Sequence, residues 1–280
     1  MKVIATVAEM AKLSREVKRP LGLVPTMGYL HQGHLSLVER AREENQTLVV
    51  SVFVNPAQFG PQEDLAAYPR DMERDMALLK GRGTDIVFAP PVEEMYPPGY
   101  DYDTWVVVDR LARRLEGEAR PGHFRGVATV VAKLFNIVRP DRAYFGQKDG
   151  QQAAVIKRMA SDLNMGVQVA VLPTVREPDG LAMSSRNIYL TPEQRKAAPA
   201  LYRALSRVRE LWQGGERDAE RLRREARAAL EAEPLVEAID YVSVADAETL
   251  EELDTVDRPA MVSLAARMGR ARLIDNVVLR

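Results

Sequence analysis

Leu21-Gly22-Leu23-Val24-Pro25-Thr26-Met27-Gly28-Tyr29-Leu30-His31-Gln32-Gly33-His34-Leu35 is the stretch from which the rest of the chain can be read. Leu21 to Val24 is a short apolar run, and Leu35, Val38 and Ala41 follow at helical spacing as far as Glu44. A strand therefore runs into a glycine-punctuated loop, and a helix begins where His31 and His34 stand. This is the layout of a first nucleotide-binding crossover in an α/β protein. It has neither the G-x-G-x-x-G of a dinucleotide site nor the G-K-[ST] ending of a P-loop. What it offers an anion is a helix N-terminus, backbone N–H groups and imidazoles. The chain has three histidines, and two of them sit three residues apart in this turn. A pair of partly buried structural histidines is one competing reading. A zinc pair is another, but no cysteine and no H-E-x-x-H supports it.

Outward from this stretch, strand and helix patterns alternate. A short amphipathic helix over 5–18 precedes it. Thr47 to Val54 (TLVVSVFV) is almost wholly apolar, as a strand buried on both faces of a parallel sheet must be. It ends in Asn55-Pro56-Ala57-Gln58-Phe59, with uncharged amides where ligands of open α/β sheets bind. A helix over roughly 70–82 contains Asp75, which suits solvation, capping or a part in holding Mg²⁺. Thr84 to Ala89 and Trp105 to Val108 are strand candidates, and prolines at 90, 91, 97 and 98 mark a long loop. Glu116 to Phe124 is loop-like and holds Arg120 and His123, ahead of an apolar helix over 127–138. Arg142 to Phe145 is a further strand. It leads into Gly146-Gln147-Lys148-Asp149 and then Gln151-Gln152, which opens a helix through Leu163. Lys148 is a point charge suited to polyphosphate, and Asp149 can cap the helix. Val167 to Val175 is the next strand. Arg176 to Asn187 follows as a polar loop with Met183, Ser184, Ser185 and Arg186.

From Thr191 the character changes. Thr191-Pro192-Glu193 is a helix start, and that helix is expected to run to about Trp212. A charged helix over 217–232 follows, then strands over 239–244, 260–265 and 271–278 with a turn at 267–270. The expected architecture is α/β: a Rossmann-like doubly wound parallel sheet over 1–184, with a smaller C-terminal α+β domain over 185–280. The polar sets at 27–34, 55–58, 146–152 and 183–186 are then expected to converge at one cleft. Neutral amides suit a small acid, and imidazole, lysine and arginine suit phosphate. Such a set fits attack of a carboxylate on the α-phosphorus of ATP.

Thr26 to His34 resembles the HxGH signature of the nucleotidylyltransferase superfamily. Taken with FVNPAQF, FGQKDGQQ and MSSRN in that order, it resembles the pantothenate synthetase family of pantoate–β-alanine ligases. Gln147 stands where glutamate is common in that family. The resemblance implies ATP with Mg²⁺, pantoate and β-alanine as the small molecules handled, no tightly bound organic cofactor, and a cytoplasmic homodimer. It implies His34, His31 and Lys148 as catalytic residues. ATP would be held by Met27, Gly28, Tyr29, Leu30, His31, Gln32, Gly33 and His34. Gly146, Gln147, Lys148, Asp149, Val175, Met183, Ser184, Ser185 and Arg186 would complete that set. Gln58, Gln152, Asn55 and Arg120 would bind pantoate or β-alanine, and Asp75 is the candidate for Mg²⁺. The 183–187 stretch resembles the K-M-S-K-S loop of class I tRNA synthetases. An adenylyltransferase acting on a phosphorylated acceptor is the nearest alternative, but the uncharged Gln58, Asn55 and Gln152 suit a hydroxy acid better.

Bulk properties narrow the rest. A formal net charge of −1 gives no electrostatic reason to expect nucleic acid or an anionic membrane as partner, which weighs against an RNA-binding module. No apolar run approaches the ~18 residues of a membrane span. The absence of cysteine rules out disulfides and fits a reducing cytosol. At 46% hydrophobic residues a sizeable core is available.

Overall fold

The almost wholly apolar run after the first crossover lies in the middle of a six-stranded sheet. A computed structural model of the chain describes residues 1–61, 63–97 and 102–280, so the loop expected at Pro98 lies outside the described residues. Backbone proximity divides the chain into two units, 1–146 with 155–172 and 147–154 with 173–280.

The first unit contains β1 (Lys2–Ile4), α1 (Val7–Leu13), β2 (Leu21–Thr26), α2 (Gln32–Glu44), β3 (Thr47–Val52) and α3 (Met72–Lys80). It continues through β4 (Ile86–Phe88), α4 (Val92–Met95), α5 (Glu116–Ala119), α6 (His123–Val138) and β5 (Arg142–Gly146). It closes with most of α7 (Gly150–Asp162) and β6 (Gln168–Leu172). Strand order is β1-β4-β3-β2-β5-β6, and every pairing is parallel. The sheet is doubly wound: β3, β4 and β1 lie on one side of β2, and β5 and β6 on the other. The direction of winding reverses between β2 and β5, the place where open α/β sheets bind ligands. All six residues of β3 are buried, as its sequence demands.

Two expectations fail here. The first strand of the chain is Lys2–Ile4, ahead of α1, and it pairs with Ile86–Phe88. At three residues, two of them exposed, it has no readable period. Trp105 to Val108 is not a strand. Val106 N–H donates to Thr129 Oγ1 on α6 at 3.0 Å, and the Arg125 guanidinium covers the Trp105 ring at 4.4 Å. Those residues lie against a helix and make no ladder.

In the second unit, α8 (Pro192–Ala197), α9 (Ala200–Gln213) and α10 (Ala219–Glu231) accompany an antiparallel sheet in the order β7-β8-β9. Its strands are β7 (Ala238–Asp246), β8 (Ala260–Met268) and β9 (Ala271–Leu279). Leu201, Leu205, Leu222 and Leu230 from the helices share a core with Val262 and Leu264. The single helix expected from Thr191 to Trp212 is two. Pro199 has no N–H to continue the ladder, and a new helix starts at Ala200. Among the described residues, no helix is long and apolar enough to cross a membrane.

Candidate active site

In the first unit the site is built at the carboxyl ends of β2 and β3. Thr26 closes β2 and ties its end to the neighbouring strand, its Oγ1 donating to Ser51 O at 2.8 Å and accepting from Gly28 N at 3.2 Å. The chain then turns through Gly28 at φ +80° and Tyr29 at φ +50°. A Cβ at Gly28 would stand 3.0 Å from Asp75 Oδ2, so both the backbone conformation and the space require glycine. Asp75, in the first turn of α3, receives the turn. Its Oδ2 accepts from Tyr29 N at 2.7 Å and its Oδ1 from Leu30 N at 2.8 Å.

Of the uses expected for Asp75, the structure shows the capping one. The side chain is 1% exposed and both oxygens are bound to backbone donors, so it clasps a loop. Among the described residues no group of three or more His, Cys, Asp or Glu side chains is arranged to hold a metal ion.

His31 is the N-cap of α2 and His34 its third residue. His31 Nδ1 accepts from Gly33 N at 3.2 Å, and His34 Nδ1 accepts from His31 N at 3.4 Å, a reciprocal capping box made of imidazoles. The helix thus begins earlier than Leu35. A ring nitrogen that accepts from an amide carries no proton, so each neutral ring has its N–H at Nε2. The two rings lie 4.0 Å apart between centroids. The motif therefore joins two Nε2–H donors to the positive end of a helix dipole.

Beyond β3, Asn55 caps a short 3₁₀ turn, Pro56–Gln58. Its Oδ1 accepts from Ala57 N at 3.3 Å and Tyr96 OH at 2.8 Å. Its Nδ2 donates to Gln58 Oε1 at 3.1 Å and Gly126 O at 3.2 Å. Both donor hydrogens and both acceptor positions of a 1%-exposed amide are then used, so Asn55 aims Gln58. Gln58 Nε2 meets Met27 Sδ at 3.2 Å, which joins the 27–34 and 55–58 sets. A thioether is a weak acceptor, which keeps the amide available to a better one.

Gln58 is fixed from behind as well. His123 Nδ1 lies 2.9 Å from Gln58 O, and its Nε2 lies 3.2 Å from Arg120 Nη1. Arg120 in turn makes a bidentate pair with Glu63 at 2.7 and 2.6 Å. Burial, with the Arg120 charge beside it, pushes His123 down to about 4. The neutral ring thus donates from Nδ1 and accepts at Nε2. Burial alone would raise Glu63, but the Arg120 hydrogen bonds and charge outweigh it and hold the carboxyl below its usual range. Sequence reading missed Glu63, Tyr96 and Gly126. A Cβ at Gly126 would fall 2.2 Å from Ala57 O, so glycine inside α6 is what lets that helix approach the 56–58 turn.

A pH dependence follows from His123. Between about pH 6.5 and 4 the unfolded chain binds a proton at this histidine and the folded chain does not. Stability should therefore fall as pH drops through that window, by up to about 3 kcal/mol from this group. Urea melts across it should show a flatter acid limb for His123→Ala than for the parent, and parallel limbs would refute the assignment.

Gly146 ends β5, and a Cβ there would meet no atom within 4 Å. In the second unit Gln147–Asp149 form a 3₁₀ turn leading into α7, with Lys148 Nζ 3.4 Å from Asp149 Oδ1. Gln152 follows, half-buried, in the first turn of α7. The 176–187 loop is more ordered than expected. Met183 N donates to Val175 O at 3.0 Å and Glu177 N to Leu181 O at 2.8 Å, which makes a small hairpin. Ser184 then caps a 3₁₀ turn, Ser185–Tyr189, accepting from Arg186 N at 3.3 Å.

Residues 2–278 match the family model described as pantoate-beta-alanine ligase. The chain belongs to the pantoate–β-alanine ligase family. It is similar to the pantothenate synthetase of Roseiflexus sp. strain RS-1, 60% identical over 279 residues with 100% of this chain and 99% of that one covered. The pantothenate synthetase of Thermotoga petrophila strain RKU-1 is 57% identical, with all of both chains covered. The crystal structure of pantothenate synthetase from Thermus thermophilus superposes with a TM-score of 0.93 at 53% identity, covering 99% of each chain. A pantoate-beta-alanine ligase from Francisella tularensis, complexed with "Beta-gamma ATP" and β-alanine, gives 0.80 at 32% identity, covering 99% of this chain and 97% of that one. As a member of this ligase family, the enzyme condenses pantoate with β-alanine, using ATP.

Proposed function

We propose that the reaction runs through a pantoyl adenylate and that the residues described above divide its work. A pantoate carboxylate oxygen attacks the α-phosphorus of ATP. An O–P bond forms, the α–β phosphoanhydride bond breaks, and pyrophosphate leaves. The β-alanine nitrogen then attacks the acyl carbon. The C–O bond to AMP breaks, the amide forms, and the nitrogen loses a proton. No step needs a covalent protein intermediate, so positioning and charge stabilisation are the protein's share.

The observation that supports this reading best is the imidazole capping box. With both Nδ1 atoms accepting from backbone, His31 and His34 are fixed as two imidazoles beside a helix N-terminus, a setting suited to phosphate oxygens. His34 stabilises charge on the α-phosphate or the departing pyrophosphate, and His31 assists. Met27, Gly28, Tyr29, Leu30, Gln32, Gly33 and Val175 shape the nucleotide pocket. Lys148, Ser184, Ser185 and Arg186 bind the triphosphate, with Gly146, Gln147, Asp149 and Met183 alongside. Gln58 and Gln152 hold pantoate, with Asn55 and Arg120 in support. Mg²⁺ arrives with ATP and is held by its phosphates. The active enzyme is a cytoplasmic homodimer.

Product release with one substrate omitted at a time tests this. Pyrophosphate is expected with Mg²⁺-ATP and pantoate alone, and sustained AMP only when β-alanine is added. AMP and pyrophosphate that appear only when all three substrates are present would rule out a free-standing adenylation step.

A further inference from the structure

The side chain of Gln147 leads to a residue far along the chain. Gln147 Nε2 donates to Asn276 Oδ1 at 2.8 Å. Asn276 returns two bonds from one amide nitrogen, to Gln147 O at 2.8 Å and Lys148 O at 2.9 Å. Asn276 belongs to β9 and is 5% exposed, so it is a rigid, dry anchor. Two bonds from one amide nitrogen hold the backbone carbonyls on both sides of the Cα that carries Lys148, and a third ties in the Gln147 side chain. The preceding residue anchors a second segment. Asp275, 3% exposed, binds Arg176 through two bonds of 2.6 and 2.9 Å, and Arg176 Nη1 also donates to Gly180 O at 3.0 Å. Adjacent residues of one strand thus hold both the Lys148 turn and the hairpin that leads to 183–186.

We infer that Asn276 is a positioning residue for Lys148: it fixes the 147–148 turn on β9 so that the ammonium is presented to the triphosphate without further ordering on binding. The inference rests on the proposed role of Lys148. The amide is specifically suited. A carboxylate at 276 would face two carbonyl oxygens with no hydrogen to share, and alanine would remove the bond from β9 to each carbonyl and the strong acceptor of the Gln147 amide. A lysine on an unheld turn must order its backbone when the nucleotide binds, which weakens binding of ATP and leaves pantoate alone.

The test uses the full-length enzyme and the non-hydrolysable analogue β,γ-methylene-ATP with Mg²⁺, measured by calorimetry, together with KM values for ATP and pantoate. Asn276→Ala and Asn276→Asp are each expected to weaken analogue binding about tenfold, the effect of stranding buried polar groups, with the pantoate KM unchanged. In a Lys148→Ala background, Asn276→Ala should add less than about twofold, because residues acting through one another are not additive. A general loss of structure would instead lower the active fraction, leave both KM values in place and add in full to Lys148→Ala. If Asn276→Ala does not fold, Asn276→Ser, which keeps one donor, carries the same comparison. Normal analogue affinity in the folded Asn276 variants, or full additivity with Lys148→Ala, overturns the inference. Unaltered affinity in Lys148→Ala alone overturns the Lys148 role and the positioning role with it, and that arm is read separately.

Discussion

Replacing His34 by glutamine is expected to lower pantoate-dependent pyrophosphate release by about a hundredfold or more with the fold intact, as removing a transition-state donor does. The choice of glutamine comes from the local geometry. His34 has two duties that a simple deletion would confuse. Its Nδ1 accepts from His31 N and completes the capping box of α2, while its Nε2–H is the donor proposed to face phosphate. Glutamine at the third helical position can make the same bond back to the N-cap, because its side-chain oxygen reaches that N–H. It therefore keeps the cap and removes the imidazole. His34→Ala removes both, and should add a stability loss of about 0.5–2 kcal/mol to a similar loss of rate. Single-turnover pyrophosphate release and thermal melts on both variants separate the duties. A near-normal rate in both variants would confine His34 to capping, and a near-normal rate in His34→Gln alone would show that an amide donor can replace the imidazole. Equal rate loss in both variants, with unequal melts, would assign the chemistry to the imidazole.

The parts of this molecule that were legible in sequence are those whose signal is local. Thr47 to Val52 is buried at every position, so both faces are covered and its apolar, β-branched run could hardly be misread. The strand-end positions of His31, His34, Asn55 and Gln58 follow from the same reading. What was missed depends on partners distant in sequence. Glu63 and Arg120 are 57 positions apart, and Tyr96 and Asn55 are 41. Neither pair has a periodic signature. Gly126 sits in a helix of good apolar pattern, and only the approach of Ala57 O explains it. Lys2–Ile4 forms a strand because Ile86–Phe88 offers it an edge, since its own three residues carry too little information. The break at Pro199 was written in the sequence, but the apolar spacing continues across it and concealed it. In each case the deciding interaction is tertiary, and a local pattern records it weakly or not at all.

Experiment can separate the two uses expected of Asp75, clasp and Mg²⁺ ligand. Asp75→Ala should cost on the order of 3 kcal/mol or more, since it strands two backbone donors that a carboxylate now satisfies in a dry setting. The turn it holds is already unfavourable at Tyr29, whose φ of +50° suits few side chains. Without the clasp that residue should relax, and the start of α2 with it. Displacing the two imidazoles by about 1 Å is enough for a loss near a hundredfold in adenylation. Asp75→Asn, with one oxygen left to accept, should fall between the parent and Asp75→Ala in both melting temperature and rate. Magnesium titration decides between the clasp and a ligand role. A lost metal ligand would raise the Mg²⁺ concentration needed for half-maximal rate, and excess Mg²⁺ would restore activity. A lost clasp leaves the Mg²⁺ requirement where it was, and no concentration restores the rate. Amide hydrogen exchange at Tyr29 and Leu30 gives the independent reading. Those two amides should lose protection in Asp75→Ala far beyond the global change, because the carboxylate that now shields them belongs to α3.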